Sequence, residues 1–395
     1  MTKKPSYRFV GYTEPWEEKK LGEVAEVNPK SVVPDEFKYV DLGAVVGTEM
    51  VSYRNETIST SPSRAQRLAV KGDVFYQTVR PYQKNNYLFR KDDNDYVFST
   101  GYAQLRPNGD GCFLLSYLQT NKFVNVVLDN CTGTSYPAIN SKDLSDIFIS
   151  LPSVPEQTAI GSFFQDIDQL ISLQQRKLEV LKEQKKTYLK LLFPAKGQTK
   201  PALRFAGFED DWKEVKLGEI ADYKNGKGYE DRQSDSGSYE LINLNSISID
   251  GGLKRSGKFI DKADETLEKG DLVMVLSDVA HGNLLGRVAI IPESNKFVLN
   301  QRVALLRPRL NSNSEFLYSY INSNQYYFKT QGAGMSQLNI SRSSVENFSV
   351  YFPTLPEQEA IGSFFQDLDK AIAKQEEKVI QLKESKQTLL RKMFI

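Results

Sequence analysis

Residues 152–193 read PSVPEQTAIGSFFQDIDQLISLQQRKLEVLKEQKKTYLKLLF, and residues 353–394 repeat them as PTLPEQEAIGSFFQDLDKAIAKQEEKVIQLKESKQTLLRKMF. The offset is 201 residues without a gap, and 13 of the first 17 positions are identical. An internal repeat of this length indicates the architecture before any single residue does, because each copy must be one structural unit. The chain is therefore predicted to consist of two related halves.

Each copy is predicted to form one long helix. Pro152 and Pro155 are expected before the helix start and Pro194 after its end, since proline lacks the N–H that a helix interior requires. Apolar residues recur at spacings of three and four, which is a seam narrow enough to require a partner helix. The predicted seam consists of Phe164, Ile167, Ile171, Gln174, Leu178, Leu181, Phe365, Leu368, Ile372, Gln375, Val379 and Leu382.

Two seam positions are polar in both copies. Gln174 corresponds to Gln375, and Lys185 corresponds to Lys386. Polar seam residues weaken a coiled coil but fix its register. The alternative is a pair of ordinary core helices, which the many Lys, Glu and Gln residues on the outer faces disfavour. The simplest partner for one copy is the other copy.

A second repeat precedes each helix, at slightly different offsets. The sequence PSYRFVG is followed by Trp16 and LGE, and PALRFAG is followed by Trp212 and LGE. Shorter matches link the intervening bodies, namely 72–75 with 270–273, 105–107 with 306–308 and 113–117 with 316–320. Short β-rich runs are predicted at 73–79, 271–276 and 287–291, and helices at 113–128 and 315–328.

These patterns predict an α+β fold with two pseudo-repeated mixed α/β domains joined by two long helices. The expected segments are a first domain at 1–151, a central helix at 152–194, a linker at 195–200, a second domain at 201–351 and a C-terminal helix at 352–395. Two similar frames that carry dissimilar loops indicate that the loops face something different in each half. The alternative is simple drift after duplication.

The composition is that of a globular protein with 395 residues, 40% hydrophobic and 26% charged. The net charge is +1, so bulk charge does not indicate a nucleic-acid partner and only local patches could do so. Two cysteines, Cys112 and Cys131, fit a reducing compartment. The N-terminus has no apolar signal region, and no run is long enough to span a membrane, so a cytoplasmic protein is expected.

A search for catalytic motifs predicts that the chain is not an enzyme. The single histidine, His281, and two cysteines cannot form a zinc cluster. Residues 252–259 resemble a phosphate-binding loop but end in Phe259 where a hydroxyl should reach magnesium. Residues 34–38 hold the letters of a nuclease motif, but the acidic residues are too close together to surround one metal. No metal site or cofactor is expected in this chain.

Polar and aromatic loops do occur at matching places in both bodies. Arg, Gln and Asn can read base edges, Lys and Arg can bind phosphates, and small-residue loops such as 133–136 and 332–337 allow close approach. The alternative for each loop is a solvated turn. The candidate DNA-binding residues are Thr78, Arg80, Tyr82, Gln83, Lys84, Asn86, Ser135, Tyr136, His281, Asn283, Arg287, Ser336 and Gln337.

The order of these segments resembles the specificity subunits of type I restriction–modification systems. The resemblance is carried by the RF-G…W…LGE openings at 8–23 and 204–219, the PEQ…I…F segments at 155–164 and 356–365, and the two long helices, and it extends over the full length. It implies two target recognition domains, each reading one half of an asymmetric split DNA site. It also implies that the helices form an antiparallel coiled coil that sets the spacer.

The same resemblance implies partners for the chain. Two modification subunits would dock on the helices and bind S-adenosylmethionine, and two restriction subunits would use ATP and Mg²⁺, so this chain would hold no active site. Three alternatives stay open: an enzyme that acts alone, a coiled-coil structural protein without DNA binding, and a specificity chain of a related defence system. Deleting one heptad from one helix should change or abolish the recognised spacing.

Overall fold

The computed structural model describes residues 4–133, 135–279, 282–334 and 337–394. The described residues form two compact units. Unit 1 contains the described residues of 4–176 together with 376–394, and unit 2 contains the described residues of 177–375. Each long helix therefore contributes one part to each unit.

Among its described residues, unit 1 has twelve strands and five α-helices that begin in it, the fifth continuing into unit 2, together with the C-terminal part of the last long helix. The strands are β1 (Glu17–Lys20), β2 (Ala25–Val27), β3 (Glu36–Val40), β4 (Val45–Val46), β5 (Glu49–Met50), β6 (Arg54–Thr57), β7 (Ala65–Leu68), β8 (Val74–Gln77), β9 (Tyr87–Leu88), β10 (Tyr96–Ser99), β11 (Tyr102–Pro107) and β12 (Phe148–Leu151). The helices are α1 (Leu21–Val24), α2 (Gly111–Leu118), α3 (Asn121–Asp129), α4 (Ser141–Asp146) and α5 (Val154–Leu191).

Two four-stranded sheets form the body of unit 1. The sheet ordered β2-β11-β8-β9 is antiparallel throughout. The sheet ordered β6-β3-β10-β7 has one parallel pair, β3 with β10. β1 pairs with β12, and β4 pairs with β5. The largest core lies between the first sheet and the helices, where Trp16, Phe113 and Phe164 are buried.

Unit 2 repeats this plan. Its strands are β13 (Lys213–Lys216), β14 (Ala221–Asn225), β15 (Tyr239–Ile242), β16 (Phe259–Ile260), β17 (Leu272–Val275), β18 (Ser277–Val279), β19 (Val288–Ile290), β20 (Phe297–Leu299), β21 (Val303–Pro308), β22 (Gln337–Asn339) and β23 (Ser349–Phe352). Its helices are α6 (Leu217–Ile220), α7 (Ser314–Ser323), α8 (Gln325–Gln331), α9 (Arg342–Glu346) and α10 (Leu355–Met393).

Two sheets of unit 2 correspond strand by strand to sheets of unit 1, and a third has three strands where unit 1 has four. The antiparallel sheet β14-β21-β17-β19 matches β2-β11-β8-β9, and β13 pairs with β23 as β1 pairs with β12. The sheet β16-β15-β20 again holds one parallel pair, β15 with β20. β18 pairs with β22. The repeated sequence therefore encodes a repeated fold.

The two long helices begin and end close to the predicted positions. Helix α5 has 38 residues and α10 has 39. The sequence predicts Pro155 before the start of α5, but it lies in the first turn of that helix. Proline is tolerated there because an N–H in the first turn has no intrahelical acceptor to lose. All twelve predicted seam residues are buried or partly buried. The alternation of three and four thus marks the packed face of both helices.

Within each unit, the two helices run antiparallel. In unit 1, the Phe164 ring lies 5.7 Å from the Phe394 ring, and Lys386 pairs with Asp168, so residue numbers rise along one helix as they fall along the other. In unit 2, Lys185 Nζ lies 2.5 Å from Asp369 Oδ1. Tyr188 in the same unit meets the Phe364 ring at 5.1 Å. The polar seam lysines therefore pair with aspartates of the facing helix, which favours this register over a shifted one.

The PEQ motif fixes the start of each long helix. In unit 1, Arg8 donates from Nε and Nη2 to the two carboxylate oxygens of Glu156, both at 2.7 Å. In unit 2, Arg204 donates to Glu357 in the same way, at 2.7 and 2.8 Å. The hydrogen bonds to these carboxylates raise the pKa of both arginines. In each unit, the RF-G opening therefore supplies the arginine and the PEQ motif supplies the glutamate of a single ion pair.

A second repeated ion pair explains the matches inside the bodies. Asp73 is 1% exposed and accepts two hydrogen bonds from Arg106, at 2.8 and 3.0 Å. Asp271 accepts two from Arg307, both at 2.8 Å. Two parallel N–H···O bonds of this kind hold both position and angle. The matches of 72–75 (GDVF) with 270–273 (GDLV) and of 105–107 with 306–308 (both LRP) therefore join the corresponding central strands of each unit.

Two helices predicted as continuous are each divided in two. The run predicted at 113–128 is broken after α2, where Thr120 accepts a hydrogen bond from Phe123 N at 3.2 Å and caps α3. The run predicted at 315–328 is broken at Asn324, whose Nδ2 donates to Tyr320 O at 2.8 Å. These short polar side chains bond to the neighbouring backbone and so compete with continuation of the helix.

Candidate nucleic-acid interface

Two loops of unit 1 that are distant in sequence lie side by side. Arg80 N donates to Pro137 O at 2.8 Å, and Ile139 N donates to Thr78 O at 3.0 Å. Val79 and Ala138 form an antiparallel bridge between them. We call residues 77–86 and 131–139, without the undescribed Thr134, loop pair 1. All eight candidates predicted in the first half of the chain lie within this loop pair.

The tip of loop pair 1 presents aromatic and polar side chains. The Arg80 guanidinium lies 4.4 Å from the centre of the Tyr136 ring, a cation–π distance. Tyr82 is 49% exposed and Tyr136 is 63% exposed, and Gln83 and Ser135 are exposed as well. Flat rings and amides at a surface are suited to stacking on bases and bonding to their edges.

The backbone of this tip has an uncommon conformation. Arg80 has φ 55° and Lys84 has φ 56°, and the 3₁₀ turn Pro81–Gln83 lies between them. Residues other than glycine rarely adopt the left-handed region, and such strain is held only where the surroundings enforce it. Here Lys84 Nζ donates to Gln119 O at 2.9 Å and to Asn121 Oδ1 at 2.5 Å. Burial lowers the pKa of Lys84.

The side chains of three candidates form hydrogen bonds within the protein that stabilise the loop. Thr78 is buried and donates its hydroxyl to Gly101 O at 2.8 Å. Asn86 is buried and its Oδ1 accepts from Gln77 N at 2.9 Å. Together with the partly buried Lys84, these side chains hold the loop in shape. The side chains left for a ligand are Arg80, Tyr82, Gln83, Ser135 and Tyr136.

Unit 2 carries an equivalent arrangement, which we call loop pair 2 (the described residues of 277–284 and 332–339). β18 pairs with β22, with Ser277 opposite Asn339. Ile340 N donates to Leu276 O at 3.0 Å, as Ile139 N does to Thr78 O in unit 1. The candidates His281 and Ser336 lie outside the described residues. The remaining candidates of this half, Asn283, Arg287 and Gln337, are described.

The described candidates of unit 2 differ in their surroundings. Asn283 is exposed and accepts from Lys329 Nζ at 3.3 Å, and Gln337 is partly buried within β22. Arg287 is half-buried and donates to Asn322 O of α7 at 3.0 Å, away from the pairing of β18 with β22. Burial lowers the pKa of Arg287. Asn283 and Gln337 thus belong to loop pair 2, whereas Arg287 packs against α7.

Two residues in or beside the loop pairs were not recognised from the sequence. Gln77 lies at the buried end of β8 and contacts the loop tip from below. Lys329 lies in α8 and reaches Asn283. A basic residue in a short helix beside a loop could have suggested Lys329, but a glutamine in a buried strand gives no such signal.

Within the described ranges, no group of three or more His, Cys, Asp or Glu side chains could hold a metal ion. Over those residues, no helix combines the length and the apolar character needed to cross a bilayer. Cys112 and Cys131 are both free thiols.

The comparison with protein families identifies the frame that carries the two loop pairs. The model described as "Type I restriction modification DNA specificity domain" matches residues 13–183 and 209–383, one match in each half of the chain. The chain belongs to this family. The resemblance noted in the repeated segments is thereby confirmed, and this specificity chain contains the family domain twice.

Known relatives share this assignment at low identity. The type I restriction enzyme MjaVIII specificity subunit of Methanocaldococcus jannaschii is 24% identical over 277 residues, which is 65% of this chain and 64% of the relative. The chain thus matches slightly less than two thirds of that relative's length.

Two solved structures have the same fold. A type I restriction–modification system S subunit from M. genitalium has a TM-score of 0.65 at 16% identity, covering 100% of this chain and 99% of that chain. A chain from a study of complex assembly and conformational transition of the type I R-M system has a TM-score of 0.57 at 22% identity, covering 98% and 99%. The α+β class with two pseudo-repeated domains and two long antiparallel helices is confirmed. The segment boundaries and the DNA-contacting residues remain predictions.

Proposed function

We propose that this specificity chain is a non-catalytic DNA-reading subunit in which each unit recognises one half of a bipartite, asymmetric site. The observation that carries the proposal is the pair of equivalent loop pairs. Both loop pairs follow corresponding strands of their units and are joined by equivalent backbone hydrogen bonds, yet their side chains differ. Similar backbones that carry different side chains fit two different half-sites. Side chains read the base edges, whereas contacts of the frame with phosphates set the register on the DNA.

The partners follow from the same proposal. Two modification subunits would dock on the long helices and carry S-adenosylmethionine, and two restriction subunits would carry ATP and Mg²⁺. This chain would supply neither active site and would act in the cytoplasm, where it meets DNA. The net charge of +1 fits a division of labour in which partner subunits supply much of the phosphate binding.

The long helices would set the gap between the half-sites. A helix of 38 residues measures about 57 Å at the usual rise per residue. Half-sites one DNA turn apart are separated by roughly 34 Å. Helices of this length are therefore sufficient to hold two reading surfaces about one turn apart.

Removing seven residues, 171–177, from α5 alone is expected to abolish recognition or change the gap. The deletion takes about 10 Å from one helix and leaves its partner unmatched. Removing 377–383 from α10 as well restores equal lengths, and the gap should then shorten by about three base pairs. Sequencing of the methylated motif measures the gap. An unchanged gap in the doubly shortened chain would contradict the role of the helices as a spacer.

The test of the function is single-molecule sequencing of adenine methylation in a host that expresses this chain with a modification subunit. The control is the same host without the chain. We expect a new motif of two short halves around a fixed gap, present only with the chain. Absence of any new motif would count against the proposal.

Three alternatives remain, and the first two make different predictions. A structural protein built on the long helices would bind no DNA, and a direct binding assay with random duplexes separates it from a specificity chain. An enzyme that acts alone would transfer methyl groups or cut DNA without partners. A specificity chain of a related defence system would read DNA in the same way with other partner subunits.

A further inference from the structure

A chain of amide contacts lies beneath the tip of loop pair 1. Gln77 is 2% exposed, at the end of β8, and its Nε2 donates to Val79 O at 2.7 Å. The same Nε2 donates to Gln83 Oε1 at 2.8 Å. Gln83 is exposed, in the 3₁₀ turn above. A buried glutamine thus connects a backbone carbonyl to a candidate DNA-reading side chain.

This chain of contacts determines which way each amide faces. A backbone carbonyl can only accept, so the NH₂ group of Gln77, and not its oxygen, must face Val79. The second N–H of that group then faces Gln83 and requires an acceptor there. Gln83 must therefore turn its oxygen inward and its NH₂ outward. The hydrogen-bond network assigns the orientation, as it must for any amide.

The position of Gln83 is fixed as well as its orientation. Gln83 N donates to Arg80 O at 3.0 Å, and Gln77 N donates to Asn86 Oδ1 at 2.9 Å. In the described residues, the side-chain hydrogen bond of Gln83 is the one that its Oε1 accepts from Gln77, and Gln83 itself is exposed. A donor held in place before binding loses little freedom when it meets its ligand, which favours selective recognition.

We propose that Gln83 donates its amide NH₂ to the major-groove edge of a guanine, and that Gln77 sets this choice without touching DNA. This inference rests on the proposed function, since it assumes that unit 1 reads a half-site. Guanine offers two neighbouring acceptors, N7 and O6. Adenine is usually read by an amide that gives one hydrogen bond and accepts another, and the oxygen of Gln83 is already engaged by Gln77. Gln83 is thus a specificity residue and Gln77 a positioning residue.

The first test is the Gln83→Glu substitution, assayed as the assembled complex with its modification subunit. One carboxylate oxygen can still accept from Gln77, and the other now presents an acceptor outward. Methylation rates are compared on four duplexes that differ only at the base pair in question. We expect preference for guanine to fall by about 10- to 100-fold and preference for cytosine, whose N4 donates, to rise. Gln66→Glu, an exposed glutamine of β7, makes the same charge change and should leave the preference unaltered.

The second test addresses Gln77 alone. Gln77→Met keeps the shape of the side chain and removes both donors, so Gln83 is free to turn either way. We expect discrimination between bases at that one position to weaken by about tenfold or more while the other half-site is read as before. The thermal midpoint of each variant is measured in parallel, so that a loss of folding is not taken for a loss of reading.

The outcomes of these experiments distinguish a failure of this inference from a failure of the proposed function. If the wild-type chain directs no split motif, both are overturned. If the motif is present and Gln83→Glu reads the same four duplexes as the wild type does, only the guanine assignment is overturned. Full discrimination in Gln77→Met would overturn the positioning role of Gln77.

Discussion

Replacing Arg204 by methionine is expected to cost unit 2 about 3–5 kcal/mol of folding free energy. Glu357 is 1% exposed and accepts hydrogen bonds from Arg204 and, at 3.1 Å, from Trp212 Nε1. Without the arginine, a buried carboxylate keeps one neutral donor and no counter-charge. The cost of leaving such a charge unpaired exceeds what the pair itself contributes to stability.

The matched control is Arg309→Met. Arg309 pairs with Asp222 at 2.8 Å, but the two side chains are 50% and 66% exposed, so its loss should cost less than about 1 kcal/mol. Unfolding in urea is followed by indole fluorescence in a Trp16→Phe background, where Trp212 reports on unit 2 alone. Equal midpoints for the two methionine variants would contradict the importance of the buried pair.

Replacing Phe193 by alanine is expected to destabilise unit 2 by about 3–5 kcal/mol. Phe193 is 4% exposed and lies two residues after the end of α5. Its ring lies 5.7 Å from Phe316, 5.1 Å from Tyr320 and 5.7 Å from Phe365, so truncation leaves a cavity at the point where the helices meet the sheet domain.

Phe193→Leu is the comparison for this cavity. Leucine retains much of the buried volume, so its cost should be clearly smaller than that of alanine. The same fluorescence assay of urea unfolding measures both. If the Phe193→Ala and Phe193→Leu variants unfold at the same urea concentration, the Phe193 ring does not fill a packed site.

The repeated architecture could be predicted because each repeated segment has a repeated physical task. The RF-G and PEQ segments form the Arg8–Glu156 and Arg204–Glu357 pairs, and the LRP segments supply Arg106 for Asp73. The seam pattern predicted which faces of the helices are packed. It could not show which way the helices run, because a heptad pattern reads the same for parallel and antiparallel partners.

The remaining predictions were limited by side chains that compete with helix continuation and by contacts between residues far apart in sequence. The apolar pattern continues across Thr120, so the break that its cap introduces could not be seen in the periodicity. Arg287 follows a polar loop and resembles a DNA contact, but its surroundings are set by Asn322 and Asp250, which lie far from it in sequence. Gln77 was overlooked because it ends a fully buried strand.

The central claim is that each unit reads its own half-site through its own loop pair. The most direct test is the methylation motif of two variants, Tyr136→Ala in loop pair 1 and Gln337→Ala in loop pair 2. Both are expressed with the modification subunit and compared with the wild-type chain. The account predicts that each variant relaxes or loses one half of the motif, that the affected halves differ, and that the gap stays constant. Two variants that alter the same half, or a change in the gap alone, would contradict it.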